Sequence, residues 1–202
     1  MLTPANAALA LIDYQPQPVF HIQSMDRQLL VGNVVALART ARLFRLPTVL
    51  TTVVARDFAG PLLPQLAEVF PEQEPIDRTN LNAWQVDAFR SAVEATGRSK
   101  LLMAGIWTEV CLMTPALSAL EAGYEVYFVV DAVGGVSAEA HTAAVHRLVR
   151  AGAVPVTWIA VLQELQRDWS RTDTVDGAYE IARAYGGSWG QGIVYRQDPS
   201  LT

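Results

Sequence analysis

The stretch Leu101-Leu-Met-Ala-Gly105-Ile-Trp-Thr-Glu-Val-Cys111 sets an apolar run directly before a polar turn. Leu101 to Ile106 reads as a buried strand, and Val110 to Ala122 reads as a helix that Gly123 stops. Cys111, the single cysteine of the chain, therefore falls in the first turn of a helix that follows the C-terminal end of a strand. Unpaired N–H groups and the positive end of the helix dipole meet there, and both favour a thiolate. In an open α/β sheet this is also the edge where ligands bind. The competing reading of Cys111 is a small buried hydrophobe.

The flanking sequence repeats the alternation. Ala7 to Ile12 is a short apolar run ending at Asp13. Asp26 to Arg45 carries Leu29, Leu30, Val34, Leu37, Ala38, Ala41 and Phe44 at the spacing of one helical face. Pro47 ends that helix, and Thr48 to Val54, rich in β-branched residues, reads as a second strand. Ala55 to Asn82 reads as a loop punctuated by Pro61, Pro64, Pro71 and Pro75, with a short helix near Leu62 to Phe70. Gln85 to Thr96 is helical and closed by Gly97. Beyond Cys111 come a strand from Tyr124 to Val130 ending at Asp131, a helix from Ser137 to Ala151 with Ser137 as N-cap, and a strand from Val154 to Trp158.

This alternation predicts a three-layer α/β/α domain around a mainly parallel six-stranded, Rossmann-like sheet. Right-handed crossovers bring Asp13, Cys111 and Asp131 to one edge. The domain spans residues 1–169. Residues 170–202 read as a polar arm that packs on the domain or on a neighbouring subunit. The glycines of Gly186-Gly-Ser-Trp-Gly-Gln-Gly192 lack the strand-to-helix context of a phosphate loop.

At 202 residues with 51% hydrophobic and 17% charged residues, the chain can bury one sizeable core. A net charge of −5 argues against a nucleic-acid partner or an anionic membrane surface. One cysteine leaves no intramolecular disulfide to form, so nothing points to an oxidising compartment. The start, Met1 to Gln15, lacks a basic segment and reaches Asp13 after a short apolar run, unlike a secretory signal. A soluble, cytoplasmic protein acting on a small molecule is the expectation.

A nucleophilic thiol needs a base for its proton and donors for an oxyanion. His141 and His146 do not share a face as a zinc pair at i, i+4 would, and His21 lies in a loop after the first strand. Nothing in their spacing brings one to Cys111, so surface or pocket lining is their expected role. Asp13, ending a strand of Ala, Leu and Ile, is a better base if burial raises its basicity; otherwise it is a turn or capping aspartate. Lys100, the only lysine, precedes the Leu101 strand and sits at the wrong edge.

With Asp13, Gly105-Ile-Trp-Thr-Glu-Val-Cys111 and Val129-Val-Asp-Ala-Val-Gly-Gly135 in view, the chain resembles the isochorismatase-like cysteine hydrolases. Leu81-Asn-Ala-Trp84, Pro115-Ala-Leu-Ser-Ala-Leu-Glu-Ala-Gly123 and Glu164-Leu-Gln-Arg-Asp-Trp169 resemble its YcaC-like subgroup. The resemblance runs from about Ala7 to about Trp169. It implies a catalytic Asp–Lys–Cys triad, of which Asp13 and Cys111 match two members. The lysine position, six residues before Trp84, holds Arg78. Arginine keeps the charge and can bond a carboxylate, but it does not shuttle protons. Arg78 thus either orients Asp13 and stabilises a thiolate, or is a loop residue displaced by a gap.

The resemblance further implies a cis peptide between Trp107 and Thr108 and an oxyanion hole from N–H groups near Thr108 and Cys111; Thr108 also fits a plain helix N-cap. No metal is expected, because Arg56-Asp57-Phe58 offers an aspartate without a nearby histidine, and no cofactor is implied. Tyr14, Phe20, Trp84 and Trp107 are candidates for an aromatic pocket, though each equally fits a core or subunit contact. The implied activity is hydrolysis of a small amide or related C–N bond through a thioester, by a homo-oligomer, tetramer or octamer. A vinyl-ether hydrolase of the isochorismatase type, and a non-catalytic or redox-sensing protein on the same fold, are the rival readings.

Overall fold

The structure, a computed structural model, describes residues 1–197. Six strands, β1 (Ala7–Ile12), β2 (Thr48–Val53), β3 (Ile76–Arg78), β4 (Lys100–Gly105), β5 (Glu125–Val129) and β6 (Val154–Val156), form one sheet in the order β3-β2-β1-β4-β5-β6. Every pairing is parallel. The central strand β1 is buried along its whole length, as a strand covered by helices on both faces must be. The chain moves outward from β1 through β2 and β3, then returns to place β4 on the other side of β1. That reversal makes the C-terminal ends of β1 and β4 a topological switch point.

Nine helices surround the sheet among the described residues: α1 (Pro16–Phe20), α2 (Arg27–Leu43), α3 (Pro64–Val69), α4 (Asp87–Ala95), α5 (Met113–Glu121), α6 (Ala138–Arg150), α7 (Trp158–Gln166), α8 (Val175–Tyr185) and α9 (Ser188–Gln197). α2 packs with α3, α7 and α8, whereas α5 packs with α6 and with the short 3-10 turn Ala83–Gln85. Side chains cap the ends where the sequence places them. Asp26 accepts from the Leu29 N–H, and Ser137 accepts from the Ala140 N–H. No helix among the described residues is long and apolar enough to cross a membrane.

Several elements differ from their sequence-based expectations. The proline-rich loop contains β3, which pairs Thr51 with Ile76, Thr52 with Asp77 and Val53 with Arg78. The helix expected at Gln85–Thr96 is shorter: Val86 stays extended between the 3-10 turn and α4. The last strand stops at Val156, because Thr157 caps α7 through a bond from the Ala160 N–H. The expected polar arm is helical as far as residue 197; its last five positions lie outside the described residues. α8 lies on α2 of the same chain, where a Cβ at Gly177 would come within 2.5 Å of Leu43 and where Arg39 stacks 5.7 Å over the Tyr185 ring.

Candidate active site

The C-terminal ends of β1, β3 and β4 deliver three side chains to one point. Asp13 follows β1 with a positive φ of 60°, and Val54 follows β2 at 47°. For a β-branched residue that conformation is strained, and such strain clusters at functional sites. Both turns are pinned: the Asp13 N–H donates to Thr51 O at 3.0 Å, and the Val54 N–H donates to Arg78 O at 2.8 Å. Gln15, fully buried, ties the same loops together by bonding both backbone groups of Val53 and the carbonyl of Gly60.

Arg78 Nη2 donates to Asp13 Oδ2 at 2.6 Å, with both side chains essentially inaccessible. Arg78 Nη1 donates to the Asn80 carbonyl. The Cys111 thiol is close enough to the Asp13 carboxylate and the Arg78 guanidinium for both to act on its ionisation. Asp13 Oδ1 and Arg78 Nε are buried and otherwise unpartnered. The trio therefore has one negative and one positive charge and one oxygen free to accept a proton.

Burial dominates its electrostatics. Desolvation raises the Asp13 carboxyl above its ordinary value, and Arg78 and the Cys111 thiol pull it back in part. Desolvation, followed by the repulsion of the neighbouring Asp13 carboxylate, drives the Cys111 thiol far above the ordinary thiol range, with Arg78 opposing. This reverses the expectation of a helix-start thiolate. Burial and the Asp13 charge both favour the neutral thiol over the thiolate.

The turn carrying Cys111 differs from a plain α-helical start. Thr108–Leu112 is one π-helical turn leading into α5, with the Trp107 carbonyl accepting from both Val110 and Leu112 N–H groups. The cis peptide is Ile106–Trp107, one bond earlier than the expected Trp107–Thr108. Trp107 itself is extended before the turn begins at Thr108. The Thr108 N–H donates to Gly134 O at 2.9 Å, so it is engaged rather than free for an oxyanion. None of these bonds uses the Cys111 N–H, which remains the candidate donor of the expected pair.

The four aromatic candidates separate. Tyr14 is wholly buried, and its hydroxyl donates to Ala132 O at 2.6 Å. Trp84 packs edge-on against Phe89 and Tyr124 in the core. Phe20 is 62% exposed on α1. Trp107 adjoins the turn, held by its Nε1 donating to Pro18 O at 2.8 Å and by an edge contact with His21. Asp131, at the same sheet edge, caps α7 by accepting from the Trp158 N–H. His141 was expected only on the surface or in a pocket lining. Its Nδ1 lies 2.9 Å from Thr108 Oγ1, and no spacing signal in the sequence announces that contact. Among the described residues no group of three His, Cys, Asp or Glu side chains could hold a metal ion.

Comparison with known proteins agrees with this architecture. The isochorismatase domain model matches residues 7–160. YcaC of Escherichia coli (strain K12), a probable hydrolase, is 42% identical over 165 residues, covering 81% of this chain and 79% of that protein. YcaC from Pseudomonas aeruginosa, solved with hexane-2,5-diol and covalent acrylamide, superposes with a TM-score of 0.93 at 37% identity over 98% of this chain and 97% of its own. The E. coli YcaC structure, an octameric hydrolase of unknown specificity, gives a TM-score of 0.94 at 36% identity over 100% and 97%. The chain belongs to the isochorismatase-domain family and, within it, is similar to the YcaC hydrolases.

Proposed function

We propose that this protein is a cysteine-dependent hydrolase of a small, neutral amide or related C–N bond, acting through a thioester on Cys111. The convergence of Cys111, Asp13 and Arg78 from three strand ends carries this reading. Cys111 sulfur bonds the carbonyl carbon as its proton passes to Asp13 Oδ1. The carbonyl oxygen takes the negative charge, held by the Cys111 N–H. Asp13 then gives the proton to the leaving nitrogen as the C–N bond breaks, and the free amine departs. Water, deprotonated by Asp13, adds to the thioester, and the C–S bond breaks to return the thiol and release the acid. Arg78 holds the carboxylate and offsets charge on sulfur without exchanging a proton.

The preference for a neutral substrate follows from the same pair. The Asp13 carboxylate balances the Arg78 charge, so the pair leaves no net positive charge to attract a substrate carboxylate. The Pseudomonas aeruginosa relative carries covalent acrylamide, an electrophile of the size and polarity proposed here. A redox-sensing role fits poorly with a thiol that is 6% exposed and held protonated. Screening small neutral amides for amine release, with Cys111→Ala as the control, tests the reaction. Amine release that the alanine variant matches overturns it.

The protein is also expected to assemble into a homo-oligomer, as the octameric E. coli relative does. Light scattering at micromolar concentration should return a multiple of 22.0 kDa, and the monomer mass alone contradicts the expectation.

A further inference from the structure

We propose that His141 is a positioning residue: through Thr108 it fixes the register of the turn that holds Cys111 against Asp13 and Arg78. The proposal deepens the hydrolase reading and rests on it only in treating that turn as catalytic.

Thr108 is fully buried at the first position of the π-helical turn, and each of its polar groups is committed. Its N–H donates to Gly134 O, its carbonyl accepts from the Met113 N–H, and its hydroxyl meets His141 Nδ1 at 2.9 Å. The first two bonds join the turn to the β5–α6 connection and to α5. The third anchors it to the first turn of α6, three residues before Cys111. The His141 main chain is fixed in α6, where its N–H donates to Ser137 O at 3.1 Å. The backbone N and Cβ of His141 pack against Gly135, where an added Cβ would come within 3.1 Å of both and would overlap Glu109.

The groups facing this contact are few. Glu109 Oε1 accepts from the Val136 N–H at 2.9 Å, and Glu109 Oε2 is buried without a partner. Burial lowers the His141 pKa and the Glu109 charge opposes that shift, so the ring is neutral around neutral pH. With the proton on Nε2, Nδ1 accepts from the Thr108 hydroxyl. The charged groups acting on the thiol are Asp13 and Arg78, and His141 is not one of them. Its influence on Cys111 therefore runs through Thr108, which separates positioning from direct acid–base chemistry.

Because Cys111 is the only thiol, iodoacetamide reads this one position. The pH profile of alkylation in the parent should have its midpoint above the ordinary thiol value of about 8.5. His141→Leu keeps the bulk and removes the acceptor. Its midpoint should move toward the ordinary value by about one unit or more as the turn loosens and the thiol leaves its buried place beside Asp13. His141→Asn returns an acceptor near the Nδ1 position and should stay within about 0.3 unit of the parent. Melting temperatures of both variants show that each is folded, and a stability effect alone leaves the midpoint in place.

A His141→Leu midpoint equal to that of the parent overturns the proposal, as does an Asn variant shifted as far as the Leu variant. If the Leu variant does not fold, Thr108→Val removes the same bond from the other side. The same shift is then expected, and an unshifted midpoint is fatal. The readout needs no substrate. Loss of the hydrolase reading through absent amide turnover is thus distinct from loss of the His141 role.

Discussion

Cys111→Ser is expected to lose amide turnover by roughly a thousandfold or more while melting within about 3 °C of the parent. Serine fills nearly the same space and can still bond the Asp13 carboxylate, so little packing changes. Its hydroxyl is a far weaker acid than a thiol, however, and Asp13 is only a moderately strengthened base. Steady-state amine release beside a thermal melt checks both halves. Turnover comparable to the parent at an unchanged melting temperature rules out covalent thiol catalysis.

Arg78→Ala is expected to lower the unfolding free energy by about 3–5 kcal/mol, because it leaves a buried carboxylate without its counter-charge. Denaturant titration reads the loss, and its pH dependence identifies the cause. Asp13 is already raised by burial, and without Arg78 it rises further. The folded variant then binds the Asp13 proton at higher pH than the unfolded chain does. The penalty is fully present above the folded-state pKa and shrinks as pH falls through it toward the unfolded value of about 3.9. Arg78→Lys restores the charge but not the two-pronged reach to Asp13 and the Asn80 carbonyl, so only part of the loss should return. A deficit that stays constant from neutral to acid pH assigns Arg78 to packing rather than to charge.

The sheet is legible in the chain wherever a strand is apolar on both faces. β1, β2, β4 and β5 fall within a residue or two of the apolar runs that announce them. β3 is not legible in that way, because Ile76-Asp77-Arg78 is three residues long with one apolar side chain, between prolines and polar loop. It exists because β2 offers an open edge, and a long-range pairing of that kind leaves no local periodicity. Arg78 sits on this strand, so its place in the site came from resemblance rather than from pattern.

The same limit applies to the turn at Thr108. Its i, i+5 bond to the Trp107 carbonyl and its tie to Gly134 depend on a loop many residues away. The thiol position was readable at a strand–helix junction, but its electrostatics were not. Helix-dipole reasoning predicts a thiolate, whereas burial and the carboxylate brought in by β1 both shift the thiol toward its neutral form. The glycine-rich tail reads as an arm because it shows no strand or cap signals. Gly186 and Gly190 instead allow α9 to approach the Ala182 carbonyl at the end of α8, a contact that any Cβ there would obstruct.

The proposed chemistry depends on Cys111 and Asp13 sharing one proton beside the fixed charge of Arg78. Thiolate absorbance against pH, in the parent and in Asp13→Asn, measures that sharing at the only cysteine of the chain. Asparagine removes the anion that opposes ionisation and leaves Arg78 to pair with sulfur. The thiol midpoint should therefore fall by about two units or more, while amide turnover disappears for want of a group to carry the proton to the leaving amine. A midpoint that does not move, or an Asp13→Asn variant that still releases amine at the parent rate, contradicts the mechanism.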